Sequence, residues 1–393
     1  MDDVVIVGYA RTPIGRLLGA LTPLTAMELG GAAIAAALDR AGVPGDQVDQ
    51  VLMGHVVQAG QGQITARQAA RHAGLGMDVP ATTINKVCLS GTSAVALAHQ
   101  QIQLGQAQVV VAGGMESMTN GPYLVPRARH GYRMGDATVV DATVHDGLWC
   151  ALDDAHMGAT SDRMNAEYGI DRRRQDAWAA RSHTRAADAW KNGHFDEEVV
   201  AVQVPSRRGD AVTVEADEGI RADSTAEGLA RLRPAFGADG TITAGNASQV
   251  SDGAAALVLT SSARADDLRV QPLGRILAYG TVAGPDASLH HQPAEAVRRA
   301  ADQIDIDPAG LDVYEINEAF AAVAIHSTDL LGVDEGRVNS NGGAVALGHP
   351  IGCTGARLVG TTLMALRRRG GGRGVASLCG GGGQGDALIL ETG

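Results

Sequence analysis

Apolar positions along the chain fall into two alternating rhythms. Residues 4–7 form a short apolar run that reads as a buried strand, and the apolar-rich stretches 51–57, 81–87 and 108–112 read as further strands. Between them, residues 27–41, 65–73 and 90–104 carry apolar residues at helical spacing, and Gly42, Gly74 and Gly105 close those runs. Gly113-Gly114 is expected to stop the fourth strand. Strands alternating with helices at this spacing predict an α/β layered fold. The rhythm breaks between about Thr119 and Asn246, where prolines, glycines and short polar pieces prevail. Within that stretch, residues 172–191 read as a polar amphipathic helix capped by Asp171, and residues 199–204 as an edge strand. Residues 254–260 then complete the first α/β unit, so the irregular stretch reads as an insertion. A second unit follows. Its predicted strands are residues 274–279, 313–316, 337–340, 374–378 and 387–391; its predicted helices are 293–301 and 355–368. Each unit contains a strand leading to a cysteine beside glycines, which suggests a duplication without any short sequence period. The expected division is 1–118 and 250–270 for the first unit, 119–249 for the insertion and 271–393 for the second unit.

Composition narrows the class of function. The chain has 393 residues, too many for one ordinary core. Its formal charge is −12, from 44 acidic and 32 basic residues, which argues against general affinity for a nucleic-acid backbone. Aromatics make up only 3 %, so stacking platforms for bases are not expected either. Four cysteines at 88, 150, 353 and 379 form neither a disulfide framework nor a CxxC pair for zinc, and no metal is expected. Useful free thiols imply a reducing compartment. The amino terminus lacks a basic segment followed by a long apolar one, and no run reaches the length of a membrane span. A cytoplasmic location is the default expectation, with no membrane partner.

Two of the cysteines stand in glycine-rich settings with a histidine motif between them. Cys88 lies in Asn85-Lys86-Val87-Cys88-Leu89-Ser90-Gly91, strand-like behind and helix-like ahead. Free N–H groups at a helix start favour thiolate, so a lowered thiol pKa is expected there. A buried structural cysteine at a helix start is the alternative. His349, in Gly348-His349-Pro350-Ile351-Gly352-Cys353, sits on a rigid loop suited to hold an imidazole as base or oxyanion donor. His130, His194, His290 and His291 lie in polar runs and read as surface residues. Cys379 ends an apolar run and precedes four glycines, which could expose N–H groups to an oxyanion or simply form a tight turn. Asn317 could hold a water or donate to an oxyanion, or could cap a helix; Glu318 could orient His349. Cys353 could pack the loop or line the site. Arg221, Arg231 and Arg233 give local positive charge suited to phosphates or merely to solvent. Neither GxxxxGK[ST] nor GxGxxG occurs where a nucleotide site would need it. Two thiols and an imidazole suit acyl transfer through an acyl-cysteine, with a second thiol to move a proton.

The four motifs resemble those of the thiolase family, in that family's order and over essentially the whole chain. Asn85-Lys86-Val87-Cys88-Leu89-Ser90-Gly91 is similar to the acyl-accepting motif and Asn317-Glu318-Ala319-Phe320 to the asparagine motif. Asn341-Gly342-Gly343 through His349-Pro350-Ile351-Gly352 is similar to the histidine motif, and Cys379-Gly380-Gly381-Gly382 to the second cysteine motif. Within the family the chain is most similar to the short-chain, acetyl-CoA acetyltransferase branch. The resemblance implies a duplicated five-layered αβαβα fold with an inserted loop domain over the coenzyme A site. It implies Cys88, His349, Cys379 and Asn317 as catalytic residues, and the backbone N–H groups of Cys88 and Gly381 as an oxyanion site. Coenzyme A contacts would come from Leu148, His156, Met157, Arg221, Phe236, Ala244, Ser248 and Phe320. Gly228 departs from relatives that carry serine there, at the cost of one hydrogen bond. The implied substrates are acetyl-CoA, acetoacetyl-CoA and CoA, with no tightly bound cofactor. A homo-oligomer, commonly a dimer of dimers joined through residues 121–141, is also implied. The alternative is a degradative 3-ketoacyl-CoA thiolase for longer chains, which would share the reacting residues. A ketosynthase-like enzyme is disfavoured by Cys379, where histidine would be expected, and a lipid carrier by the retention of both thiols with His349.

Overall fold

The computed structural model describes residues 3–206 and 209–393. Strand β1 (Val4–Arg11) is followed by helix α1 (Ala26–Ala41), β2 (Gln50–Gly54), α2 (Thr65–His72), β3 (Ala81–Ile84), α3 (Ser90–Gln103) and β4 (Val109–Ser117). The insertion carries α4 (Met157–Glu167) and α5 (Arg172–Lys191). Strand β5 (Ser251–Ser261) returns to the first unit. The second unit runs β6 (Gly274–Ala283), α6 (Gln292–Asp302), β7 (Val313–Ile316), α7 (Ala321–Leu331), α8 (Thr354–Arg368), β8 (Gly372–Gly380) and β9 (Gln384–Thr392).

Strand order is β7-β8-β9-β6-β1-β5-β4-β2-β3. Outward from the β1–β6 seam, each side repeats one scheme: two antiparallel neighbours, then a parallel strand. The seam is narrow, with pairing only at Val5↔Arg275 and Ile6↔Gly274. Helices α3 and α8 touch each other and strands of both halves, α1 and α2 cover one outer face, and α6 and α7 cover the other. This is the five-layered αβαβα arrangement of a duplicated fold.

Local chemistry explains the element ends. Thr25 and Glu28 form a reciprocal capping box at the start of α1, and Gly42 closes it at φ 66°. Asp171 caps α5 as expected, accepting from Arg174 N–H. Two strand expectations fail. Gly113-Gly114 does not end β4, which runs through both. A Cβ at Gly114 would lie 1.9 Å from the Gly352 carbonyl oxygen, so glycine there admits a close approach. Residues 337–340 form no strand: Glu335–Arg337 is a single helical turn, and only Val338 bridges to Tyr314. The edge strand at 199–204 shortens to Val202–Val204, paired with Val212–Val214.

The insertion is tied to the core by buried charge. Arg11 on β1 donates to both oxygens of Asp217 at 2.7 and 2.9 Å and to Glu198 at 3.3 Å. Thr361 on α8 donates to Glu198, and Arg357 pairs with Glu315 at 3.3 Å. Burial pushes the Glu315 carboxyl up to about 8, with Arg357 opposing the rise. Among the described residues, no helix is long and apolar enough to cross a membrane.

Candidate active site

The candidate catalytic side chains arrive from three kinds of element end. Cys88 lies two residues before α3, in a loop pinned by Ser90: its hydroxyl donates to Val87 O and accepts from Lys86 N–H. Val87 is held at φ 51°, a costly conformation for a β-branched residue. Lys86 Nζ reaches Asp386 of β9 at 2.8 Å, fixing the loop to the other half. Cys379 is the penultimate residue of β8, followed by the Gly381–Gly383 turn. His349 lies just after Gly348, whose φ is 110° and whose missing side chain leaves room for Ser251. Asn317 follows β7 directly.

These residues converge on one cavity of about 180 Å³. Cys88, His349, Cys379 and Gly381 line it, as do Leu148, His156, Met157, Phe236, Ser248 and Phe320. Asn317 sits behind His349, with Nδ2 at 3.4 Å from Nε2; its Oδ1 has no protein partner among the described residues. His156 caps α4 through Nδ1 and packs its ring on Phe236 at 4.7 Å, and Phe236 meets Phe320 edge-on. Arg221 and Ala244 do not line the cavity; both are exposed. Arg221 follows Gly219, whose carbonyl accepts from the cavity residue Gln249. Gly228 donates to Thr225, inside a short helical turn.

Several expectations need correction. The Cys88 thiol is not lowered: burial pushes it up to about 12, although the N–H groups of Cys88 and Gly381 face the sulfur and oppose the rise. Burial likewise raises Cys379, and the neighbouring Cys88 adds to that. Burial, with Arg357, lowers His349 to about 3. At neutral pH the site therefore holds two thiols and a neutral imidazole, not an ion pair. Asn317 caps no helix; Phe320 holds that position for α7. Glu318 does not orient His349. It accepts from Trp178, Ser182, Asn339 and Val345 N–H, and so fixes the Asn-Gly-Gly loop instead. Thr354 Oγ1, at 2.7 Å from Nδ1, is the group that orients His349. His290 is not at the surface; it is buried against Asn165, while His194 and His291 are partly buried and His130 is exposed. Cys353 is buried outside the cavity, near Arg357, Arg11 and Glu116.

The sequence reading missed a second buried pair. His55 Nε2 lies 3.3 Å from Glu116 Oε1, and Glu116 also accepts from Val56, Val57 and Gly352 N–H. A charged residue inside the apolar run Val109–Ser117 was the available signal.

Comparison with known proteins decides the family. The profile described as thiolase, N-terminal domain, matches residues 4–263, and the one described as thiolase, C-terminal domain, matches residues 270–392. The chain belongs to the thiolase family. A probable acetyl-CoA acetyltransferase of Mycolicibacterium smegmatis is 53 % identical over 387 residues, covering 98 % of this thiolase and all of the relative. The acetyl-CoA acetyltransferase of Cupriavidus necator is 48 % identical over 391 residues, covering both chains in full. The crystal structure of the Bacillus anthracis acetyl-CoA acetyltransferase superposes with a TM-score of 0.97 at 43 % identity, covering 100 % of this thiolase and 99 % of that chain.

Proposed function

We propose that this thiolase is an acetyl-CoA C-acetyltransferase, condensing two acetyl-CoA to acetoacetyl-CoA and CoA and running the reverse. The observation that supports this most directly is the convergence of two protonated thiols and one neutral imidazole on a single small cavity, beside two backbone N–H donors. His349 Nε2 takes the Cys88 proton as the sulfur attacks the first thioester carbon. The N–H groups of Cys88 and Gly381 hold the resulting oxyanion. CoA departs as thiolate and takes the Cys379 proton, which leaves acetyl-Cys88, an imidazolium and a Cys379 thiolate.

The second half returns every proton. The Cys379 thiolate removes a proton from the methyl carbon of the second acetyl-CoA. The enolate oxygen accepts from His349 Nε2–H and from a water held by Asn317 Oδ1. The carbanion attacks acetyl-Cys88, the C–C bond forms, and Cys88 leaves as thiolate and recovers its proton from the imidazolium. Two thiols are required because one carries the acyl group while the other acts as base. Water has to be kept from the acyl-cysteine at this stage, because hydrolysis would discharge it.

Leu148, His156, Met157, Phe236, Ser248 and Phe320 would contact the pantetheine arm and acyl group, with Arg221 and Ala244 nearer the nucleotide. Residues 121–141 form an exposed arm with Met134 at 99 % exposure, suited to pairing copies of the chain into a dimer of dimers. The activity test combines intact-mass detection of one acetyl group on Cys88 with thiolysis rates for acetoacetyl-CoA and 3-ketooctanoyl-CoA at equal CoA. Preference for acetoacetyl-CoA is expected. Preference for the longer substrate would replace this assignment with the degradative one.

A further inference from the structure

We propose that Thr354 is a positioning residue that fixes the proton arrangement of His349. This rests on the acyl-cysteine reading above, but its central measurement does not. A neutral imidazole carries one N–H, and its partners decide which nitrogen holds it. Thr354 Oγ1 lies 2.7 Å from His349 Nδ1 and 2.9 Å from the Pro350 carbonyl oxygen. Two oxygens at that distance repel unless a proton lies between them. The single hydroxyl proton of Thr354 is therefore committed to Pro350, and Thr354 can only accept from Nδ1–H. The opposite edge of the ring agrees, because Nε2 faces the donor Nδ2 of Asn317 at 3.4 Å. His349 is thus held with Nδ1 protonated and the Nε2 lone pair turned to the cavity.

The arrangement suits both halves of the cycle. When Nε2 takes the Cys88 proton, Nδ1–H keeps the same acceptor and the ring does not have to turn. A hydroxyl, being uncharged, holds the ring without pairing the imidazolium as a carboxylate would. The site remains one in which burial drives His349 toward its neutral form, so the Nε2 proton is readily returned to Cys88. Thr354 opens α8, which packs between both halves, so the acceptor sits on a rigid element.

The experiment uses the whole protein with nitrogen-15-labelled histidine and compares wild type, Thr354→Val and Thr354→Ser. Wild type and Thr354→Ser are expected to show His349 as the Nδ1–H tautomer. Thr354→Val is expected to shift it toward the Nε2–H form that free histidine favours. The same variant should lose about 100-fold in the rate of Cys88 acetylation, with little change in KM, and Thr354→Ser should restore most of the rate. Three results would overturn the proposal: an Nε2–H tautomer in wild type, an unchanged tautomer and rate in Thr354→Val, or equal impairment of both variants. Absence of acetylation in wild type with the expected tautomers would instead overturn the acyl-cysteine reading alone.

Discussion

The two halves of this thiolase use the same three positions differently. The residue after the second strand of the scheme is His55 in the first half and Asn317 in the second. The loop before the inner helix carries Cys88 in one and His349 in the other. The eighth residue of the following strand is Glu116 in one and Cys379 in the other. In the second half, Cys379 and His349 line the cavity, with Asn317 touching His349 from behind. In the first half only Cys88 does, while His55 and Glu116 pair with each other. On the proposed mechanism, one copy supplies most of the catalytic groups and the other mostly supports them. Support also crosses between copies. Glu116 of the first half holds Gly352 N–H in the histidine loop, and Asp386 of the second half holds Lys86 and Ser93 beside Cys88. Each reactive loop is thus latched by a buried carboxylate from the opposite half, which makes the relative placement of Cys88 and His349 a property of the whole chain.

The strongest way to break this division is Cys88→Ala. It removes the only reactive group contributed by the first half, and no acyl-enzyme should form. Intact-mass analysis after exposure to acetyl-CoA checks this; full labelling at another cysteine would show that the supporting half is not so limited. Cys379→Ser comes next. Its hydroxyl has a far higher pKa than a thiol and is a poor base, so condensation should fall by about 10²–10⁴-fold while Cys88 still acetylates. Deuterium exchange at the acetyl methyl group should be lost with it. Normal exchange in that variant would move the base to another residue.

The crossed latches can be separated from the chemistry. Glu116→Gln keeps the shape of the side chain but replaces a charge-assisted acceptor with an amide. The change should cost about 1.5–3 kcal/mol in unfolding free energy, measured by urea denaturation. Asp386→Asn should cost a similar amount, since it weakens the bonds from Lys86 and Ser93. Both should also slow acetylation. Unchanged stability in both variants would mean that the two loops hold their places without the carboxylates.

Much of the layered fold was legible because its periods are pure. Residues 27–41 and 172–191 show helical spacing, the first closed by Gly42 and the second capped by Asp171, and both match observed helices within a residue. The motifs around Cys88, His349 and Cys379 were legible because glycine and proline mark loops that must bend tightly or admit close neighbours. What stayed hidden depends on contacts distant in sequence. Gly113-Gly114 looked like a stop because the opposing Gly352 carbonyl cannot be seen from residues 108–114. The rise of the Cys88 thiol reflects burial in the folded chain, whereas sequence displays only the helix start that opposes it. Glu318 was placed beside His349 by proximity of motifs, yet its four donors come from α5, Asn339 and the glycine loop. His290 read as a surface residue because its neighbours in sequence are polar, yet the fold buries it against Asn165 and Tyr168.

His290 gives the smallest and most conditional expected effect. The loop after the first strand of each half differs: residues 12–25 contain no histidine, whereas the loop after β6 buries His290. Its Nε2 meets Asn165 Oδ1 at 2.8 Å, and its ring lies near Tyr168 and His326. Burial lowers it to about 3, and His326 and His291 reinforce the shift. An unfolded histidine titrates near ~6.5, so between about 3 and 6.5 the unfolded chain binds more protons at this residue. Its contribution therefore favours the fold above pH 6.5 and is lost progressively as pH falls. By pH 5.5 the loss is about 1.4 kcal/mol from this group alone. His183, lowered to about 4 by burial and Arg221, and His349 add losses of the same sign. His290→Gln removes one of these contributions. Relative to wild type, the variant should gain about 1.3 kcal/mol in going from pH 7 to 5.5, whatever its stability at pH 7. Urea unfolding of both proteins at the two pH values measures this difference directly. A difference independent of pH would mean that His290 keeps the same affinity for protons in the folded and unfolded chains, and that the contrast between the two loops carries no acid sensitivity.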